Sequence, residues 1–257
     1  MIESTKNQQV KNLTGLVNKS KQRKEEGVYV VEGPRMFEEA PREELVKAYM
    51  SESFYNKMLD KDSLKGVDYE ILRDDVYEYV SDTKTPQGVM CIMRQKQYSE
   101  EDILSGEDAF IMFIENLQDP GNLGTILRAA EGAGVTGIVM SQGTVDIYNP
   151  KTIRSTMGSI YRVPFVYTDD IIGSIKKAQA KGVKVYAAHL EGKTSYDSLE
   201  LKEKSGFIIG NEGAGISSET AEAADLLMII PMQGQVESLN AAVAATVLMY
   251  ETARQRR

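Results

Sequence analysis

The chain has 257 residues, 42% of them hydrophobic and 26% charged, with a net charge of −8 and a pI near 5.0. That length holds two modest domains with cores of their own, and such acidity argues against indiscriminate nucleic-acid binding through bulk charge. A single cysteine, Cys91, and a single histidine, His189, exclude an intrachain disulfide and a thiolate-rich metal site, so no metal is expected. No apolar run approaches the roughly 20 residues of a membrane-spanning helix, and the first residues lack the apolar core of a signal peptide, so a soluble, cytoplasmic protein is expected. Residues 6–26 read as a polar amphipathic helix with Val10, Leu13, Leu16 and Val17 on one face, ended by Gly27. Residues 1–35 carry seven Lys/Arg against four Asp/Glu, and residues 36–110 carry nine against eighteen. The positive charge at Lys11, Lys19, Lys21, Arg23 and Lys24 is therefore a candidate phosphate-contacting patch, although an ordinary solvated helix would carry the same lysines. A strand at 28–31 leads through Glu32-Gly-Pro-Arg35 into a helix ending near Ala40. Strands and helices alternate up to a strand at 88–93, and an acidic stretch from about 95 to 108 reads as a linker. The expected division is a domain at 1–95, a linker at 96–107 and a second domain at 108–257.

The second half reads as strand 109–115, helix 122–133, strand 136–140, helix 150–158, strand 163–167, helix 169–181, strand 183–188, strand 206–210, helix 216–223, strand 226–230 and helix 239–254. Strands alternating with helices imply an α/β fold, a parallel sheet with helices on both faces. Gly132-Ala-Gly-Val-Thr-Gly137 matches the dinucleotide-binding spacing, but here the helix precedes the glycines and the strand follows them. Pyrophosphate binding needs the reverse order, so these glycines read as a helix stop.

Three strand-to-helix junctions carry the chemistry. The first, Asn116-Leu-Gln-Asp-Pro-Gly-Asn-Leu-Gly-Thr-Ile-Leu-Arg128, follows an apolar strand, at the sheet edge where α/β proteins bind ligands. It places Arg128 about two turns into the helix, where its planar fork suits a phosphate or carboxylate. Asn116 and Asn122 also fit as plain turn or cap residues. The second, Gly206-Phe-Ile-Ile-Gly-Asn-Glu-Gly-Ala-Gly215, surrounds Glu212 with Gly210, Gly213 and Gly215, whose freedom suits positive φ and close backbone approach. The third, Ile230-Pro-Met-Gln-Gly-Gln-Val-Glu-Ser-Leu-Asn240, leads into an apolar helix that Ser238 is placed to cap.

These segments resemble the three motifs of the SpoU/TrmH family of SPOUT RNA 2′-O-ribose methyltransferases. Asn116 and Arg128 carry the first, Gly-Asn-Glu-Gly at 210–213 the second, and Ile-Pro-Met with Glu-Ser-Leu-Asn the third. The likeness runs from about Asp108 to Glu251 and takes in Asn149-Pro-Lys-Thr-Ile-Arg-Ser-Thr-Met-Gly-Ser-Ile-Tyr-Arg-Val-Pro164. Ahead of it, the run Tyr-Val-Val-Glu-Gly-Pro-Arg35, with the preceding lysines, is similar to the ribosomal-protein-like substrate-binding domain of ribosomal RNA members.

The resemblance implies a carboxyl-terminal trefoil knot, which nothing in composition or spacing suggests, and S-adenosylmethionine as cofactor. The backbone around Gly210, Ile230 and Leu239 would hold the cofactor, with Met232 and Ala188 as further walls. It implies an RNA substrate, most of all large-subunit ribosomal RNA, gripped by the amino-terminal half with Arg35, and it implies a homodimer. In this family the motif-one arginine is often cast as general base, but a guanidinium stays protonated. Arg128 is therefore expected to hold the target phosphate and steady developing negative charge. Asn116, Ser238 and Asn240 would orient the hydroxyl and the arginine, and Glu212 would order the glycine loop or pair with Arg128. His189 is of a residue type suited to acid–base work yet matches no motif position. Cys91 reads as buried filler, and Tyr29, Tyr77, Tyr79 and Phe37 read as packing rather than base-stacking residues. Alternatives are a tRNA ribose methyltransferase, a non-catalytic RNA-binding relative and, more distantly, a small-molecule methyltransferase.

Overall fold

The computed structural model describes residues 1–257. Its elements run α1 (Gln8–Asn18), α2 (Ser20–Glu26), β1 (Val28–Glu32), α3 (Pro34–Glu38), β2 (Leu45–Ser51), α4 (Glu52–Lys57), β3 (Tyr69–Leu72), α5 (Asp74–Val80), β4 (Val89–Arg94), α6 (Glu100–Leu104), β5 (Phe110–Ile114) and α7 (Pro120–Ala133). They continue with β6 (Gly137–Ser141), α8 (Pro150–Thr156), β7 (Phe165–Thr168), α9 (Ile171–Ala180), β8 (Lys184–Ala188), β9 (Thr194–Ser195), β10 (Ser205–Ile209), α10 (Ser218–Ala223), β11 (Leu226–Ile229) and α11 (Ala241–Gln255). Two units result, one from residues 1–96 with 146–161, the other from 97–145 with 162–257.

The first unit is built on a four-stranded sheet in the order β1-β4-β2-β3. Strand β4 is antiparallel to β1 and β2, while β3 runs parallel to β2. The apolar stripe of α1 buries Val10, Leu13 and Leu16 with Tyr49 and Leu72 of the sheet and Val76 of α5. The helix expected over 6–26 is in fact two, because Lys19 takes an extended conformation (φ −121°, ψ 108°). Arg23 bridges the break. Its Nη1 donates to the carbonyls of Leu16 at 2.8 Å and Val17 at 3.1 Å, which sit at the helix end where carbonyls lack helical partners. Its Nη2 pairs with Asp146 at 2.6 Å. The expectation that Arg23 touches phosphate is thereby corrected: its side chain is 4% exposed and is used inside the fold. Lys11, Lys19, Lys21, Lys24 and Arg35 do lie on the surface, with Arg35 paired to Glu39 at 2.7 Å.

The second chain segment of this unit packs α8 against β1. The Tyr148 ring lies 4.6 Å from that of Tyr29, Arg154 pairs with Asp82 at 3.1 Å, and the Tyr161 hydroxyl donates to the Met36 carbonyl at 2.9 Å. Tyr29, Tyr77 and Phe37 are buried, as packing residues should be, and only Tyr79 is exposed. Cys91 is buried in β4, and burial pushes its thiol up to about 12, so at neutral pH it stays a protonated filler.

The second unit carries a seven-stranded sheet in the order β7-β6-β5-β10-β8-β11-β9, parallel throughout. All five residues of β5 and of β10 are buried, as expected for strands covered on both faces. Ile111, Phe113, Val139, Val185 and Ile208 meet Ile171 and Ile175 of α9 in one core, while α7 and α11 pack against each other and α11 against β10. The acidic stretch expected as a linker carries α6, capped by Ser99, with Ile103 and Leu104 buried in this core. Its local charge masks two inward apolar residues. Gly134 ends α7 in the left-handed conformation (φ 82°) and β6 follows, which fits the helix-stop reading of the glycines.

At the amino ends of the central strands, Arg256 donates to the carbonyls of Leu201, Asp108 and Ala109 and to Ser205 Oγ. Its guanidinium also lies 5.1 Å from the centre of the Phe110 ring. Burial lowers the pKa of this guanidinium, against the fields of Asp108 and Glu203, which raise it. This lock closes one end of the sheet and leaves the carboxyl ends for chemistry.

Candidate functional site

Strands β5 and β10 are paired in register from Ser205 with Phe110 to Ile209 with Ile114, so their two polar junctions leave the sheet side by side. Pro120 occupies the first turn of α7, and Asp119 caps it by accepting from the Asn122 amide at 2.8 Å. The cap is thus neither Asn116 nor Asn122, and the helix begins two residues earlier than expected. Asn116 sits at φ 54°, a left-handed conformation that asparagine tolerates better than most residues. Its amide donates to Ser141 Oγ at 2.9 Å, and its Oδ1 accepts from that hydroxyl at 3.0 Å. A Cβ at Gly143 would lie 2.0 Å from Asn116 Oδ1, so that glycine makes room for the contact.

The side chain that joins all three junctions is Asn122. Its Nδ2 donates to Glu212 Oε1 at 3.0 Å, and its Oδ1 accepts from Asn240 Nδ2 at 3.0 Å. Sequence reading missed this role. The signal was present in the six-residue separation of Asn122 from Arg128 on one helix, about 9 Å along its axis. Glu212 also accepts from the amides of Gln118 at 3.0 Å and Asp119 at 2.9 Å. Burial raises its pKa, but hydrogen bonds from Gln118, Asn122 and Asp119 outweigh that, and the carboxyl is held below its usual range. Of the two roles expected for Glu212, ordering the loops is the one its contacts match. Arg128 is exposed and its side chain makes no hydrogen bond or ion pair with another residue, so its fork is available to an anion.

The glycine-dense turn is held by Asn211, whose Oδ1 accepts from the amides of Gly213 at 2.9 Å and Ala214 at 3.0 Å. Its Nδ2 donates to the Asn116 carbonyl at 2.9 Å. The glycines divide their work differently from expectation. Only Gly215 has positive φ, 71°. A Cβ on Gly210 would lie 2.2 Å from the Gly215 backbone, so the close approach there is that of the loop to itself. Gly213 shows neither constraint.

The third junction corrects another expectation. Asn240, not Ser238, caps α11, accepting from the amides of Ala242 at 2.9 Å and Val243 at 3.3 Å. An asparagine immediately before the helix wins over a serine three residues ahead of its first turn. Ser238 lies on an exposed loop. Ala188, Gly210 and Ile230 stand at the carboxyl ends of β8, β10 and β11, which are neighbours in the sheet, with Met232 and Leu239 on the loop after β11. All five are half-buried, offering apolar surface and open backbone of the kind that sandwiches a purine. His189 Nδ1 accepts from the Glu191 amide at 3.2 Å, an ordinary turn contact. A cavity of about 20 Å³ in the first unit, lined by Val17, Val30 and Met90 with Glu32, Asp82 and Arg154, has room for about one water and holds none of these groups.

Three polar loops, an unpaired guanidinium and apolar walls at one sheet edge suit the binding of an adenine-bearing cofactor beside a phosphate-bearing acceptor. Comparison with known proteins shows the family. Residues 109–250 match the SpoU rRNA Methylase family, and residues 7–91 match the MRM3-like substrate binding domain. The chain is 35% identical over 250 residues to the 23S rRNA (guanosine(2553)-2′-O)-methyltransferase RlmP of Bacillus subtilis, covering 97% of each. It is similar to the AdoMet-bound rRNA methyltransferase from Sinorhizobium meliloti, with a TM-score of 0.85, 30% identity, and 98% and 97% of the two chains covered. A TrmH/SpoU tRNA modifying enzyme of A. aeolicus matches 61% of this chain and 80% of its own, at 26% identity and a TM-score of 0.53. The chain belongs to the SpoU rRNA methylase family.

Proposed function

We propose that the protein transfers a methyl group from S-adenosylmethionine to a ribose 2′-hydroxyl of large-subunit ribosomal RNA. The observation that carries this is the junction network Glu212–Asn122–Asn240, one turn and a half from the unpaired Arg128, in a chain whose full-length relatives are named for that reaction. Ribosomal RNA is favoured over tRNA because the likeness to the RlmP enzyme spans the whole chain, whereas the tRNA-modifying relative leaves 39% of it unmatched. Residues 1–95 would grip the RNA through Lys11, Lys19, Lys21, Lys24 and Arg35. A cytoplasmic location is supported by the likeness to a bacterial 23S rRNA methyltransferase.

Ala188, Gly210, Ile230, Met232 and Leu239 would hold the cofactor, which when bound supplies an electrophilic methyl carbon. Arg128 would bind the phosphate next to the target ribose and steady negative charge as the hydroxyl loses its proton. Asn122 and Asn240 fix the start of α7, which carries Arg128, and the loop that carries Ser238, while Asn116 acts one step back, through Ser141 and Asn211. A knotted carboxyl-terminal crossover is supported by the return of the chain from β11, beside β8, to α11, beside α7. A homodimer is supported by Val243 and Tyr250, large apolar side chains exposed at 48% and 44% on α11. Incubating the protein with methyl-labelled cofactor and ribosomal RNA, then mapping ribose methylation, tests the assignment. One modified 2′-hydroxyl in the large-subunit RNA is expected, and label that enters only tRNA or only bases would overturn it.

A further inference from the structure

Glu115 belongs to none of the three motifs, yet it is a buried carboxylate, 7% exposed, at the end of β5. Its amide donates to the Ile209 carbonyl at 2.9 Å, continuing the β5–β10 ladder past the strand ends. Its side chain turns away from the first junction and into the second. There Oε2 accepts from the Ser217 amide, and Oε1 accepts from Ser217 Oγ and from Thr220 Oγ1, all at 2.8 Å. Ser217 is in turn the cap of α10 and accepts from the Thr220 amide at 3.2 Å.

Glu212 does the converse. It rises from the second junction and accepts from Gln118, Asp119 and Asn122 at the start of α7. Each junction therefore sends one glutamate across to hold the helix start of the other. The 210–217 turn lies between these braces, pinned by Glu212 at one side and by Ser217 at the other, with Asn211 and Gly215 bonded to each other in both directions at 2.9 and 3.0 Å.

We propose that Glu115 is a positioning residue for the cofactor: by fixing Ser217 and Thr220 it sets the 210–217 backbone where it meets S-adenosylmethionine, while Glu212 sets the α7 side that faces the RNA. This rests on the function assigned above. The two carboxylates should then separate kinetically. The Glu115 carboxylate accepts from one amide and two hydroxyls; a glutamine replaces one acceptor oxygen by an NH₂ that the hydroxyls accept only by rotating, and it removes the charge that strengthens all three bonds. The brace weakens without any change in volume.

The test compares wild type with Glu115→Gln, Glu115→Asp and Ser217→Ala in the full chain, using ribosomal RNA transcript, S-adenosylmethionine and S-adenosylhomocysteine. Glu115→Gln is expected to raise the KM for the donor and the Kd for S-adenosylhomocysteine by about tenfold or more, with kcat at saturating donor within about threefold. Glu115→Asp should recover part of the loss because it keeps an all-acceptor carboxylate, and Ser217→Ala should show a smaller shift in the same direction. Amide exchange across 211–217 should quicken in Glu115→Gln without any ligand. Unchanged KM and exchange, or a loss confined to kcat, overturns the proposal. If Glu115→Gln does not fold, the Asp and Ser217 variants carry the same comparison. Wild type that fails to bind S-adenosylhomocysteine would sink the functional assignment and the positioning role for the cofactor, whereas the cross-brace itself is judged by exchange alone.

Discussion

Replacing Arg23 by alanine separates two readings of the amino-terminal charge. On the surface it would be one phosphate contact among several, and its loss would leave stability alone and reduce the salt slope of RNA binding by about one. The structure makes it an internal strut. It is 4% exposed, serves the carbonyls of Leu16 and Val17, and pairs at 2.6 Å with an Asp146 side chain that is 20% exposed. Removing one partner of a buried pair costs about 3–5 kcal/mol. Because Asp146 keeps some access to water, the lower end applies, about 3 kcal/mol. A unit of this size loses roughly 4–8 °C of Tm per kcal/mol, so Arg23→Ala should lower the melting of the first unit by about 12–24 °C if that unit unfolds as its own transition. Circular dichroism melts and urea titrations would read this, with Lys21→Ala as the surface control. Adding Asp146→Asn to Arg23→Ala should cost less than the sum of the two changes. A wild-type Tm in Arg23→Ala with weakened, less salt-dependent RNA binding would show that the strut is the wrong description.

Asn122→Ala should lower kcat by about tenfold or more, because it removes the bonds to Glu212 and Asn240 that tie the junctions together, while Asn116→Ala costs less through the Ser141 contact; the opposite ranking in a methyl-transfer assay would refute the geometry. Glu212 has a depressed pKa, so its contribution is complete above the ordinary carboxylate range and is lost as pH falls through its lower folded value. The KM for RNA should therefore hold at neutral pH and rise on acidification, and Glu212→Gln should flatten that dependence. Arg256→Ala strips hydrogen bonds from Leu201, Asp108, Ala109 and Ser205 and should destabilise the second unit by about 2–3 kcal/mol, read as a lower urea midpoint; an unchanged midpoint would show that α11 is held without it.

Periodicity made the parallel sheet and nearly all of its helices legible, because apolar runs such as 110–114 and 207–209 have one sensible burial in an α/β fold. Residue-level roles were legible where side-chain type alone limits the chemistry, as for the guanidinium of Arg128 or the carboxylate of Glu212. They failed where a near neighbour of the same type competed. Asn116 and Asn122 lie six positions apart, and only the left-handed turn at the first and the helical placement of the second decide which amide meets Glu212. Ser238 and Asn240 were confused for the same reason, since both can cap and the choice depends on where the first turn begins. Arg23 and Glu115 were hidden differently. Their partners lie about a hundred or more positions away, and no local pattern encodes a contact of that range.

The first unit is discontinuous in the chain, completed by residues 146–161, and this bears on how the protein is born. A polypeptide leaving the ribosome from its amino end has synthesised α1, α2 and the whole β1-β4-β2-β3 sheet by residue 94, yet it still lacks Asp146 for Arg23, Tyr148 for Tyr29 and Arg154 for Asp82. For the next sixty or so residues, nascent β1 has no α8 cover and one cation has no counter-ion. The amino-terminal portion therefore matures only after about a third of the catalytic portion has been translated, and cutting the gene at the apparent boundary near residue 95 would release a fragment with an open seam.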